Sequence, residues 1–263
     1  MARIADAFGR MREAKQPGLV AYVTAGDPDL ARTAEILIAL AGNGADVLEV
    51  GIPFSDPLAD GPVIQRASER ALASGSTLRG ALKMIRETRS RIDAPIVLFT
   101  YVNPVLRMGE AAFVKEAADA GVDGVLVLDL PVEEAGPFRQ RLVGATLDPI
   151  FLLSPTTSGA RIRASADLGS GFLYVISRLG VTGARDRVAA DAEALVARIR
   201  AETDLPLALG FGISTPEQVA EVGRWADAAV VGSALVNVIA EHGAGPDVAG
   251  RAGGYVRWLK GHA

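Results

Sequence analysis

Eight short apolar runs, rich in β-branched residues, recur along the chain: GLVAYVTAG (18–26), DVLEVGIP (46–53), PIVLFTY (95–101), GVLVLD (124–129), PIFLLS (149–154), GFLYVIS (171–177), PLALGFGI (206–213) and AAVVGSALV (228–236). They are apolar on both faces, which suits strands of a parallel sheet covered on both sides. Between them lie helical patterns such as DLARTAEILIALAGNG, EAAFVKEAADAG and TPEQVAEVGRWA, several closed by glycine. An open doubly wound sheet would hold fewer strands or need a second domain. The repeat therefore predicts an α/β fold, one closed (β/α)₈ barrel spanning residues 1–263. Ile4, Phe8 and Met11 recur at helical spacing and predict an extra amphipathic helix ahead of the first strand. Further helices are expected after the second and eighth strands.

Loops that follow strands build the active face of such a barrel, so chemistry is sought there. Two connections are long. The one after the second strand carries PFSDPLADG and two helices, about 63–75 and 77–91; the one after the sixth carries SRLGVTGARDRVAAD. Glu49 lies inside the second strand with the parity of Val47 and Gly51, so it points either to the barrel axis or into the helix layer. A lone carboxylate in an apolar layer is costly, which favours the axis near the open end and a raised pKa suited to giving and taking protons. Asp60 ends the loop just ahead of a helix at Pro62, where a helix cap and a catalytic group are both consistent with the sequence. Asp56 is open to the same two readings.

Glycines at the other end of the chain suit an anion. GFGIS follows the seventh strand and leads into a helix at Thr215–Pro216, VGSA joins the eighth strand to a helix near Ser233, and Gly180–Val181–Thr182–Gly183 sits in the sixth loop. Backbone N–H groups and a helix N-terminus bind phosphate where no side chain intervenes. Gly183, Gly212, Gly232 and Ser233 are the candidate phosphate ligands.

Several chemistries lack their residues. The chain has no cysteine, its histidines are His242 and His262, and its lysines are Lys15, Lys83, Lys115 and Lys260, all in helical or terminal segments. Thiolate chemistry, a transition-metal site and a Schiff-base lysine at a strand end are thereby disfavoured, and no metal is expected. Gly-x-Gly-x-x-Gly is absent, so nothing points to a dinucleotide. The net charge of −4 gives no general attraction to nucleic acid or anionic lipid. No apolar run reaches the roughly 18–20 residues of a membrane span, and ARIADAFGRMREAK has no signal-peptide core. A cytoplasmic location is expected. Carboxylates, with Tyr22, Tyr101 or Tyr174, remain as catalytic groups, and such a site cleaves a C–C bond only if the substrate supplies its own electron sink.

Through AYVTAGDPD, LEVGIPFSDPLADGPVIQ, GVLVLDLPVEE, YVISRLGVTG and GFGIS the chain resembles, over nearly its whole length, the α-subunit family of tryptophan synthase. The resemblance implies retro-aldol cleavage of indole-3-glycerol phosphate to indole and glyceraldehyde 3-phosphate in tryptophan biosynthesis, with the two catalytic carboxylates on Glu49 and Asp60. It implies an indole pocket among Tyr22, Thr100, Tyr101, Leu126, Leu128, Tyr174 and Phe211. The two long connections, one carrying Asp60 and the other Thr182, are expected to close over each other, the Thr182 hydroxyl reaching Asp60. The resemblance also implies a β-subunit partner carrying pyridoxal phosphate, an α–β–β–α assembly, and no cofactor in this chain. Pro53, Phe54, Asp56 and Pro57, the segment from Asn103 to Met108, and Pro131 occupy loops where that partner would dock. Two alternatives stay open: a carboxylate-driven sugar-phosphate isomerase on the same barrel, and a partner subunit without turnover of its own.

Overall fold

The structure is a computed structural model that describes residues 3–177, 185–210 and 212–261, with side chains 185–191 outside the description. Eight parallel strands close in sequence order into a barrel: β1 (Gly18–Thr24), β2 (Val47–Gly51), β3 (Ile96–Thr100), β4 (Gly124–Val127), β5 (Asp148–Leu153), β6 (Leu173–Ile176), β7 (Leu207–Gly210) and β8 (Ala228–Val231). Helix α1 (Arg3–Ala14) precedes β1, α2 (Leu30–Gly42) follows it, and α3 (Pro62–Ala73) with α4 (Leu78–Thr88) follows β2. After β3 come α5 (Val102–Met108) and α6 (Glu110–Ala120), then α7 (Gly136–Gly144), α8 (Gly159–Leu168), α9 (Arg185–Arg200) and α10 (Pro216–Val222), each between consecutive strands. Two helices, α11 (Ser233–His242) and α12 (Val248–Leu259), close the described chain.

Alternating residues sort into two cores, as the pleat requires. Val20, Tyr22, Val47, Val97, Phe99, Leu126, Ile150, Tyr174, Ala208 and Val230 fill the barrel axis. Their neighbours Leu19, Ala21, Leu48, Val50, Leu98 and Val125 meet the surrounding helices. The predicted α1 stripe plugs the base: Ile4, Phe8 and Met11 are buried against the axis cluster, contributing about 1.5–3 kcal/mol each as an upper figure. Met11 lies so close to Gly18 that a Cβ there would sit 2.2 Å from its sulfur. With the base closed, the accessible end of the barrel is the C-terminal end of the strands.

The helix pairs after β2 and β8 agree with the sequence pattern. The segment from Asn103 to Met108, expected to lie in a loop, is instead helix α5. Pro104 lies in the first turn, where its missing N–H removes no intrahelical bond. Among the described residues no helix is long and apolar enough to cross a membrane.

Candidate active site

Strand β2 is buried along its whole length, and Glu49 sits in its middle with no exposed surface. In the closed register Glu49 lies beside Tyr22 of β1 and Val97 of β3, and its neighbour in parity, Val47, belongs to the axis cluster. The carboxylate therefore points to the axis rather than the helix layer. Among the described residues neither of its oxygens has a hydrogen-bond partner. Burial, and secondarily the charge of Asp60, pushes its pKa up to about 8. The burial is complete, and Glu49 is not among the residues that line the cavity described below.

The loop after β2 brings Asp60 over this position. Its turns are closed by Leu58 N–H to Asp56 O (2.9 Å) and Asp60 N–H to Pro57 O (3.0 Å), and Gln65 Nε2 of α3 donates to the Asp60 carbonyl at 2.9 Å. Helix α3 is capped by Gly61 without a side-chain bond, so Asp60 is not its cap. The Asp60 carboxylate instead accepts a hydrogen bond from Tyr101 Oη at 3.0 Å. Burial raises its pKa to about 6 against the lowering effect of that bond. Asp56 is exposed and accepts from Ser55 Oγ at 2.5 Å.

A cavity of about 290 Å³ opens beside these groups. Ala59, Asp60, Gly61 and Ile64 line one end; Tyr22, Phe99, Leu128, Leu152, Tyr174 and Ile176 form the walls; Gly210, Gly212, Gly232 and Ser233 line the rest. Tyr22 meets Phe99 edge-on at 5.4 Å, and Tyr174 lies 6.2 Å from Phe99. Burial raises the pKa of both tyrosines well above the ordinary value, so they stay neutral. The dimensions and lining suit a flat aromatic group held between rings, with an anion at the far end.

The anion end is more specific than its glycines suggested. Gly232 caps α11 without a side-chain bond, and the first intrahelical bond runs from Val236 N–H to Gly232 O, leaving the N–H groups of Ser233, Ala234 and Leu235 without helical acceptors. Gly212 holds φ +79°, a conformation that favours glycine. Helix α10 contributes differently from the sequence expectation. Thr215 and Gln218 form a capping box, and Gln218 Oε1 accepts from Ser214 N–H at 2.7 Å, so its terminus is already satisfied by side chains. The open N-terminus here is that of α11.

Three sequence assignments to the pocket change. Thr100 has the parity of Leu98, which faces the helices, and its position on the wall belongs to Phe99. Leu126 is in the axis cluster but does not reach the cavity, which Leu128 does. Tyr101 stands behind Asp60 rather than on the wall, with its ring 5.2 Å from Phe54. Phe99, Leu152, Ile176 and Gly210 were missed because strand runs apolar on both faces carry no parity signal, and Ile64 was missed because it reaches the cavity from α3 rather than from a strand. Thr182, Gly183 and Phe211 lie outside the described residues.

A larger groove of about 610 Å³ opens on the loops after β2 and β3. Pro53, Phe54, Leu72, Leu78, Pro104 and Met108 line it, with Asn103 and Arg107. Pro53 is thus on its wall, whereas Asp56, Pro57 and the exposed Pro131 are not. Leu58 and Leu106 are 91% and 57% exposed. Among the described residues no three His, Cys, Asp or Glu side chains converge as metal ligands would.

The family model "Tryptophan synthase alpha chain" matches residues 8–252. The chain belongs to the tryptophan synthase alpha chain family. It is 50% identical over 260 residues to the tryptophan synthase alpha chain of Citrifermentans bemidjiense, covering 99% of this chain and 97% of that one. With the Alkalilimnicola ehrlichii member it shares 51% over 241 residues, 91% of this chain and 88% of the other. Among solved structures, tryptophan synthase subunit alpha from Legionella pneumophila superposes with a TM-score of 0.92 at 38% identity, covering 99% and 98% of the two chains. A tryptophan synthase chain from M. tuberculosis, in an open form with BRD0059 bound, gives 0.89 at 33% identity, with 99% and 98% covered.

Proposed function

We propose that this alpha-chain family member is a lyase that cleaves indole-3-glycerol phosphate to indole and glyceraldehyde 3-phosphate. One observation carries the reading: a single aromatic-walled cavity is lined by the Asp60 carboxylate and by the glycine-capped N-terminus of α11, with the buried acid Glu49 paired in register with the wall residue Tyr22. The phosphate would rest on the free N–H groups of α11 beside Gly212 and Gly232, and the indole between Tyr22, Phe99 and Tyr174.

Glu49, protonated at neutral pH, would deliver its proton to indole C3 from the floor of the cavity. The ring becomes an indoleninium cation and Asp60 accepts the hydrogen bond of its N–H, stabilising the positive charge. Glu49, now a carboxylate, takes the proton of the side-chain hydroxyl. The electrons of the breaking C–C bond restore the aromatic ring, and the former carbinol carbon leaves as the aldehyde. Glu49 ends protonated as it began, and no lysine or electron-withdrawing metal is required.

The cycle needs Glu49 protonated and Asp60 ionised together. With pKa values of about 8 and about 6, that condition holds between roughly pH 6 and pH 8. kcat/KM should follow a bell over that window, and a rate still rising at pH 10 would exclude Glu49 as the acid. We further propose that the groove bounded by Pro53, Phe54 and α5 receives a β-subunit, which would take up the indole, and that the protein works in the cytoplasm. The deciding assay supplies indole-3-glycerol phosphate and measures indole, with and without β-subunit. Absence of indole in both arms refutes the activity, and equal rates with no complex formed refute the partner.

A further inference from the structure

Tyr101 stands where β3 turns into α5, as the N-cap residue of that helix. Its hydroxyl is used twice: it accepts from the backbone N–H of Ala59 at 3.1 Å and donates to Asp60 Oδ2 at 3.0 Å. A phenol has one proton, so accepting from Ala59 commits that proton to Asp60 and strengthens the bond. The ring cannot swing away freely, because Phe54 packs against it with centroids 5.2 Å apart and the residue is 4% exposed. Two successive loop residues are thus pinned to a strand end by one side chain that does not line the cavity.

Other charged or titratable neighbours do not do this work. Glu49 approaches Asp60 from β2, Tyr22 from β1 and Tyr174 from β6, and Gln65 of α3 reaches only the Asp60 carbonyl. None is a cation, and no described Lys or Arg donates to the Asp60 carboxylate. We propose that Tyr101 is a positioning residue that holds Asp60 over the cavity in its ionised form. The Tyr101 bond is the influence that opposes burial at Asp60. Its loss therefore raises the pH at which Asp60 releases its proton.

Y101F tests this while preserving the ring against Phe54. Protein labelled with ¹³C-aspartate is titrated by NMR, the Asp60 carboxyl signal being identified by its absence in D60N. The midpoint should move up by about one pH unit in Y101F. This arm does not depend on any reaction. The activity arm rests on the lyase reading: the acid limb of kcat/KM should move up by the same interval, and kcat at pH 6 should fall about fivefold to tenfold with KM within about twofold. An Asp60 midpoint unchanged in Y101F overturns the proposal whatever the activity. A moved midpoint supports it even in a chain that releases no indole, in which case the lyase reading alone fails.

Discussion

Replacing Glu49 by glutamine separates what this carboxyl does for the reaction from what it costs the fold. The group is fully buried, its ordinary pKa is 4.5, and in the folded protein it titrates near 8. Between those values the folded chain keeps a proton that the unfolded chain has released. The folded state is thus favoured fully below about pH 4.5 and loses stability steadily as pH rises to about 8. At about 1.4 kcal/mol per pH unit the loss between pH 5 and pH 9 is on the order of 4 kcal/mol, a large share of the roughly 5–15 kcal/mol that holds a domain together. Glutamine has no proton to hold, so this slope should vanish in Glu49→Gln. Its amide is buried without a partner at a cost of about 1–3 kcal/mol, but that offset is the same at every pH. Urea unfolding of both proteins at pH 5, 7 and 9 measures the difference directly. The variant should gain on the unaltered chain by on the order of 4 kcal/mol across the series while cleavage falls by a factor on the order of 10² to 10⁴. Parallel stability curves would refute the buried, proton-holding state of Glu49, and near-normal turnover would refute its role as the acid.

The described atoms nearest a Cβ on Gly232 belong to Tyr22 at 3.7–3.9 Å, so Gly232→Val should fold yet crowd the α11 terminus; calorimetry should show inorganic phosphate or glycerol phosphate binding weakened at least about tenfold, and undiminished binding would put the anion elsewhere. A Cβ on Gly51 would lie 2.1 Å from Tyr22 Oη, so Gly51→Ala should drive the Tyr22 ring into the cavity, raising KM about tenfold with stability lowered by about 1–3 kcal/mol; unchanged KM would show that Tyr22 does not shape the wall. Arg70 of α3 donates twice to Asp27, whose side chain is 2% exposed, so Arg70→Met should leave an unpaired buried carboxylate and cost about 3 kcal/mol in urea unfolding, a loss under 1 kcal/mol arguing that the pair is dispensable.

Much of this protein is written locally. A run such as VLFT carries β-branched residues over a strand's length, and Thr33, Ile36, Leu37 and Leu40 of α2 recur at helical spacing; both are short-range properties that need no knowledge of the rest of the chain. Counting the strands led to the closed barrel, and Ile4, Phe8 and Met11 marked the helix that seals its base. Glu49 declared itself for the same reason, since a carboxylate inside a buried strand needs a special neighbourhood wherever that strand lies.

The inward face of β3 was not local information. Every residue of β3 is buried, so either parity satisfied the hydrophobic pattern. Only the pairing of Glu49 with Val97 in the closed barrel turned Phe99 inward and Thr100 outward. Spacing alone left Asp60 able to cap α3; in the folded chain Gly61 is the cap and Tyr101, 41 residues away, donates to the Asp60 carboxylate. Likewise the helices after β7 and β8 both follow glycine-bearing loops, and folding alone distinguished them: Thr215 and Gln218 satisfy one terminus, while among the described residues the N–H groups of Ser233, Ala234 and Leu235 at the other have no helical acceptor. Residue type and spacing set which groups the chain possesses, because backbone propensity and side-chain period act over a few residues. Which groups meet was decided by barrel closure, because strand register and loop approach are set by contacts among residues far apart in the chain.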